Sequence, residues 1–207
     1  MKSFFSKLLL PLHTHAPRKR KTLGQSLIEF AIALPVLVFI LTAMMEFGFI
    51  LNFYLSLLDA TRGAARWASL ADPFTISGAD DMNYYITTAD LVRNELAPPT
   101  EGRKLILDPA TDGVIVTVFC VENKSATVYP ATGSYNTNPS MITSAFTSAD
   151  IENTYSNTAP DAGLVLVEVY YGYRPVIGLF YTGKVMLRAH SIMPVNAADP
   201  IPGTGCP

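Results

Sequence analysis

From Phe30 to Met45 the chain carries no charge, and Glu46 is the only charged residue between Phe30 and Leu58. A bilayer core takes about 20 mostly apolar residues in a helix, whereas the apolar region of a cleaved secretory signal takes only about 7–15. This stretch is too long for the second and long enough for the first. A helix also satisfies its own backbone in lipid, which few other structures can do. Arg18, Lys19, Arg20 and Lys21 precede it, and basic residues stay on the cytoplasmic side, so the C-terminal bulk is expected to be exported.

The helix is expected to run from Gln25 to about Ala71, where Asp72-Pro73 stops it. At 1.5 Å per residue it reaches roughly 70 Å, more than twice the hydrocarbon thickness. Its second half must therefore leave the membrane. Asp59, Arg62, Arg66 and Ser69 accordingly appear only after Leu58. Glu46 falls inside the span or at its outer edge, and an acid there calls for a helix contact or partner unless it reaches water. Gly48, Asn52, Ser56, Ala60, Ala64 and Ala68 recur four apart, a ridge of small residues suited to close packing. From Ala60 to Ala68 the plainer reading is packing on the chain's own domain, and Trp67 is expected in that core.

Between the basic cluster and the apolar helix lies Gly24-Gln25-Ser26-Leu27-Ile28-Glu29. A basic leader, a glycine, a glutamate five residues on and then a long apolar helix together resemble a type IV prepilin. The match is closer when Gly24 through Pro35 is read with Met45-Glu46-Phe47-Gly48 and Asp59-Ala60-Thr61-Arg62-Gly63-Ala64-Ala65-Arg66. These motifs are similar to those of the TadE-like family, minor pilins or pseudopilins of tight-adherence (Flp-type) pilus systems. The resemblance is strong from about Thr22 to Ala71 and only general beyond Asp72. It implies a prepilin peptidase that cuts after Gly24, leaving Gln25 as the new N-terminus and Glu29 as its fifth residue. It also carries the family's acidic residue onto Glu29 and its mid-helix proline onto Pro35. The implied partners are the membrane, that peptidase, other pilin or pseudopilin subunits and the assembly platform. In such a filament the Glu29 carboxylate neutralises the new α-amino group of a neighbouring subunit, so neither charge stays unpaired in an apolar bundle.

Net charge conceals an asymmetry. Residues 1–24 hold six basic residues and no acid, which leaves nine Lys and Arg against 17 Asp and Glu in the rest. An acidic chain of this kind argues against nucleic-acid binding. Cys120 and Cys206 both fall on the exported side, where an oxidising compartment allows a disulfide; the alternative is two separate thiols. Pairing would tie down the Pro-rich tail from Asp199 to Pro207.

The expected fold class is α+β, with the long pilin-like helix packed on a small domain, residues 72–207, that carries an antiparallel sheet. Met82, Tyr85, Ile86, Ala89, Val92 and Leu96 recur at helical spacing, so about Asp80 to Leu96 reads as an amphipathic helix that Pro98-Pro99 stops. Strands are expected at Arg103–Leu107, Gly113–Glu122, Thr127–Tyr129, Leu164–Arg174 and Lys184–Met193. Thr132 to Pro160 is poor in apolar residues and reads as a long surface loop with a helical turn near Met141–Phe146. The apolar connection Pro175–Gly183 is expected at the membrane interface, with Phe180 its test position.

No catalytic, cofactor-binding or metal-binding constellation is recognisable. His13 and His15 lack companion ligands, and His190 is the only histidine beyond the leader. Asn123-Lys124-Ser125 matches a glycosylation sequon without further support. The leading reading is a processed minor pilin that supports pilus assembly and surface adhesion. An uncleaved single-pass envelope scaffold or adhesin is the alternative, and an anchored exported enzyme a distant third.

Overall fold

The computed structural model describes residues 23–98, 105–155, 161–178, 182–200 and 206–207. Residues 1–22, with His13 and His15, lie outside them. Packing divides the chain into two units, Met1–Leu41 and Thr42–Pro207.

Helix α1 spans Leu23–Ala68. In the first unit every side chain from Gly24 to Leu41 is exposed, including Leu27, Phe30 and Ile32. A helix that is apolar all round is either buried or a membrane span. This half is exposed throughout, and α1 is the one helix among the described residues long and apolar enough to cross a membrane.

In the second unit the rest of α1 becomes a core helix. Leu57, Ala60, Ala64, Ala65 and Ala68 are buried, so the small-residue ridge brings the backbone close to the domain. The packing unit thus begins at Thr42, well ahead of the boundary that composition marks at Asp72. The helix also stops at Ala68, short of Ala71. Ser69, Leu70 and Ala71 close a turn instead, and the Tyr84 hydroxyl donates to the Ala68 carbonyl at 3.0 Å. That bond satisfies one of the carbonyls a helix end leaves open.

Helix α2, Met82–Leu96, is capped by Asp81, whose carboxylate accepts the Asn83 amide at 3.0 Å. It buries Tyr84, Tyr85, Thr88, Ala89, Val92 and Leu96. The strand expected at Arg103–Leu107 does not form over its described part. Leu105 instead docks beneath α2 and donates its amide to the Leu96 carbonyl at 2.8 Å.

The sheet is antiparallel throughout. Strands β1 (Gly113–Glu122), β2 (Ser125–Tyr129), β4 (Ala162–Tyr173) and β5 (Val185–Pro194) lie in the order β2-β1-β4-β5, and the short β3 (Tyr135–Asn136) pairs with the start of β1. Asn123 and Lys124 both take positive φ, which closes the β1–β2 hairpin in two residues and puts the sequon asparagine in a tight turn. Period-two alternation sorts the core strands. Val114, Val116, Val118, Val165, Val167 and Val169 face α1 and α2, while Phe119, Val121, Leu164 and Leu166 face the opposite way.

What covers that opposite face overturns the loop expectation for Thr132–Pro160. The segment holds β3 and a helix, α3, at Ser148–Tyr155, and it buries Ile142 and Ile151 on the sheet. No helix forms at Met141–Phe146. Sparse apolar anchors suffice because the segment's polar groups serve the sheet. The Glu168 carboxylate, fully buried on β4, accepts from the Ser144 hydroxyl, from the Ala145 amide at 3.2 Å and from the Tyr170 hydroxyl at 3.1 Å. Burying a polar group without such hydrogen-bond partners is costly. Trp67 also departs from expectation. It is 39% exposed, with its ring beside Tyr84 at the rim of the core. Small alanines, rather than the bulky indole, occupy the buried face of α1.

Cys120 and Cys206 form a disulfide across 86 residues of sequence, and the Tyr129 hydroxyl donates to the Pro207 carbonyl. In the chain-entropy account a loop of that length is worth about 4–5 kcal/mol. At the other end of β1, Gly113 and β3 accommodate the covering segment. Gly163 opens β4 under the turn Asn196–Ala198, where an added Cβ would strike the Val195 carbonyl and approach the Ala198 Cβ to 2.7 Å. Gly163→Ala is therefore expected to destabilise the domain by about 1–3 kcal/mol. Thermal unfolding of the purified full chain checks it, and an unchanged midpoint would refute this packing.

Candidate functional site

Gly24, Gln25 and Glu29 sit in the first two turns of α1. The Gly24–Gln25 bond lies where helix amides have no intrahelical acceptor, so local opening there breaks few hydrogen bonds. A Cβ on Gly24 would meet nothing within 4 Å. The fold itself therefore places no demand for glycine at this position. The Gln25 side-chain amide donates to Glu29 Oε1 at 3.2 Å, one turn on. In the described chain Glu29 thus has a neutral donor at the place where the resemblance implies a cationic one. Pro35 lies inside the helix, which continues through it. Having no N–H, it leaves the Ala31 carbonyl without its i+4 donor.

Glu46 is placed quite differently. Its carboxylate faces the β4–β5 connection of its own domain. Oε1 accepts from the Tyr173 hydroxyl and from the Val176 amide at 3.0 Å, and Oε2 accepts from the Ile177 amide at 2.9 Å. The partner that an acid at this depth requires is thus supplied within the chain. The donors arrive by alternation along β4: Tyr171 and Tyr173 continue the row of Val165, Val167 and Val169 that faces α1. Phe53 packs against both tyrosine rings, at 5.9 and 5.3 Å between centroids. Burial first, then the bond to Glu46, pushes the Tyr173 phenol up to about 12, so it stays a donor at ordinary pH.

The base of the same connection is held by a residue that sequence reasoning passed over. Asp112, nearly fully buried just before β1, accepts the Gly172 amide at 3.0 Å and lies 3.4 Å from Lys184 Nζ. Lys184 also donates to the Thr111 hydroxyl. One carboxylate therefore ties both ends of the connection, and a second, Glu46, ties its tip to α1. Only the position of Asp112 ahead of a strongly apolar strand hinted at this in sequence. Phe180 lies outside the described residues. His190 is exposed on β5 and packs its ring on Phe146 at 4.7 Å.

These features define a class: an antiparallel α+β domain built on the second half of a helix whose first half is a candidate membrane span. The family model described as TadE-like protein matches residues 24–66, starting at Gly24 and taking in Glu29, Pro35 and Glu46. That family is associated with tight-adherence pili and is structural, not known as enzymatic. Comparison with curated proteins and with solved structures gave no match.

If Glu46 fastens the connection, its replacement should loosen residues 174–184 specifically. Cleavage there by a protease of broad specificity is expected to be slowest in the parent chain, faster in Glu46→Gln, which keeps one acceptor oxygen, and fastest in Glu46→Ala. Equal rates in all three would contradict the latch.

Proposed function

We propose that the chain is a minor pilin, or pseudopilin, of a tight-adherence type IV pilus, made as a precursor and cut between Gly24 and Gln25 by prepilin peptidase. Residues 1–24 are then the leader. Gln25 begins a helix whose first half crosses the cytoplasmic membrane, and the domain lies on the far side. The observation that carries this reading is the family match over residues 24–66 together with the exposed apolar first half of that helix, residues 24–41. The partners are other pilin or pseudopilin subunits and the assembly platform, and the role is support of pilus assembly and surface adhesion.

The chemistry of the helix start suits this role. A carboxylate at the mouth of an apolar rod is costly unless a positive group meets it. Cutting at Gly24 creates an α-amino group on Gln25, and the Glu29 carboxylate of an adjacent subunit compensates it. Membrane extraction then does not strand either charge. Before the cut, the Gln25 side-chain amide donates to Glu29 one turn on.

N-terminal sequencing of envelope-extracted protein tests the reading. The expected N-terminus is Gln25; an intact Met1 would overturn it. Gly24→Leu is expected to abolish processing while leaving the domain folded, because a Cβ at that position meets nothing within 4 Å among the described residues. Glu29→Ala is expected to permit the cut and to deplete the protein from sheared filaments. Normal processing of Gly24→Leu would count against peptidase recognition.

A further inference from the structure

The tip of the β4–β5 connection turns apolar side chains outward at the level of Glu46. Val176 is 62% exposed and Ile177 42%, although their amides are fixed by Glu46 at 3.0 and 2.9 Å. The outer side of α1 remains apolar past this level. Phe47, Phe49, Leu51 and Leu55 are all exposed, and Leu55 lies about 13 Å further along the helix than Glu46. The first charge after Glu46 is Asp59. The tip therefore sits beside a stretch of helix surface that is oily on both sides of it.

Three properties fit the tip to a lipid interface rather than to water. A loop enters apolar surroundings only when its amides have acceptors, and Glu46 provides them for Val176 and Ile177. A carboxylate at that depth needs donors on both oxygens, and Glu46 has three. Finally, Arg174 is exposed immediately before the tip and, with Pro175, Gly178, Thr182 and Lys184, lines an open cavity of about 450 Å³. Lys184 is engaged with Asp112 and, at 3.8 Å, with Asp108; Arg174 also feels the Asp108 charge, but it is the more exposed of the two cations and so the one suited to reach the phosphate layer.

We propose that the Val176–Ile177 tip is seated in the interfacial layer of the bilayer that α1 crosses, on the domain's side, with Arg174 at the level of the lipid phosphates. This second, shallow contact rests on the reading of α1 as a membrane span. It fixes how deep the helix sits and holds the domain against the surface until the subunit is withdrawn from the membrane.

Trp67 is the only tryptophan, so Trp67→Phe gives a silent background. In that background the full chain is reconstituted in phosphatidylglycerol–phosphatidylcholine vesicles as Val176→Trp, or as Leu37→Trp to report on the span. The acyl chains carry bromine either near the head or near the middle. The expected result is loss of Val176→Trp emission chiefly to bromine near the head, and loss of Leu37→Trp emission chiefly to bromine near the middle. Quenched Leu37→Trp beside unquenched Val176→Trp would overturn the tip proposal and spare the span. A blue-shifted but unquenched Val176→Trp would place the tip against protein and overturn it equally. Unquenched Leu37→Trp would overturn the span reading, and the tip proposal with it. Should Val176→Trp fail to form the Cys120–Cys206 bond, Ile177→Trp replaces it and is read in the same way.

Discussion

A carboxylate in the middle of an oily helix has to be given hydrogen-bond donors, and the way Glu46 obtains them organises this molecule. Removing an ion from water costs several kcal/mol unless its lone pairs are met. Here the donors come from the end of β4 and the turn beyond it. Those donors can reach Glu46 only if β4 lies along α1, with its odd-numbered residues facing the helix. That in turn requires the small side chains of Ala60, Ala64 and Ala68 to bring helix and sheet together. One polar contact and one alanine ridge thus fix the same register from two ends.

The rest of the domain follows from burying the sheet's two faces. The face toward α1 and α2 is closed by regular amphipathic elements. The other face is closed by an irregular segment whose apolar residues are few. Its attachment relies on Glu168, a buried acid that serves as an acceptor for three groups of that segment or of its neighbours. Asp112 does the same work at the base of the β4–β5 connection. Acidic side chains placed against backbone amides and hydroxyls recur as the fastening device. This accounts for part of the acid excess of residues 25–207 without invoking a cationic partner.

The long apolar helix, α2 and the long strands were legible in the sequence, because each is announced by a local pattern: an uncharged run, a period near 3.6, or dense β-branched residues. The cover over the far face was not legible. Ile142, Phe146 and Ile151 are spaced irregularly among Ser, Thr and Asn, and their burial depends on a sheet built from residues elsewhere in the chain. Trp67 departs from expectation for a related reason, since the close approach of this part of α1 to the domain is made through Ala60, Ala64, Ala65 and Ala68. Within the candidate site, Gly24 and Glu29 stand out because their spacing at the start of the apolar helix resembles that of a prepilin. The partner of Glu46 could not, since Tyr173 lies 127 residues away and no pattern links the two.

The account depends on α1 crossing a membrane between the basic N-terminal segment and the domain. Asn94 is exposed on α2, and the native cysteines are joined, so a thiol introduced by Asn94→Cys reports alone. A membrane-impermeant maleimide applied to intact spheroplasts is the direct measurement. Labelling of Asn94→Cys without lysis is the predicted result. Labelling that appears only after the spheroplasts are broken would leave the domain on the cytoplasmic side and contradict the account.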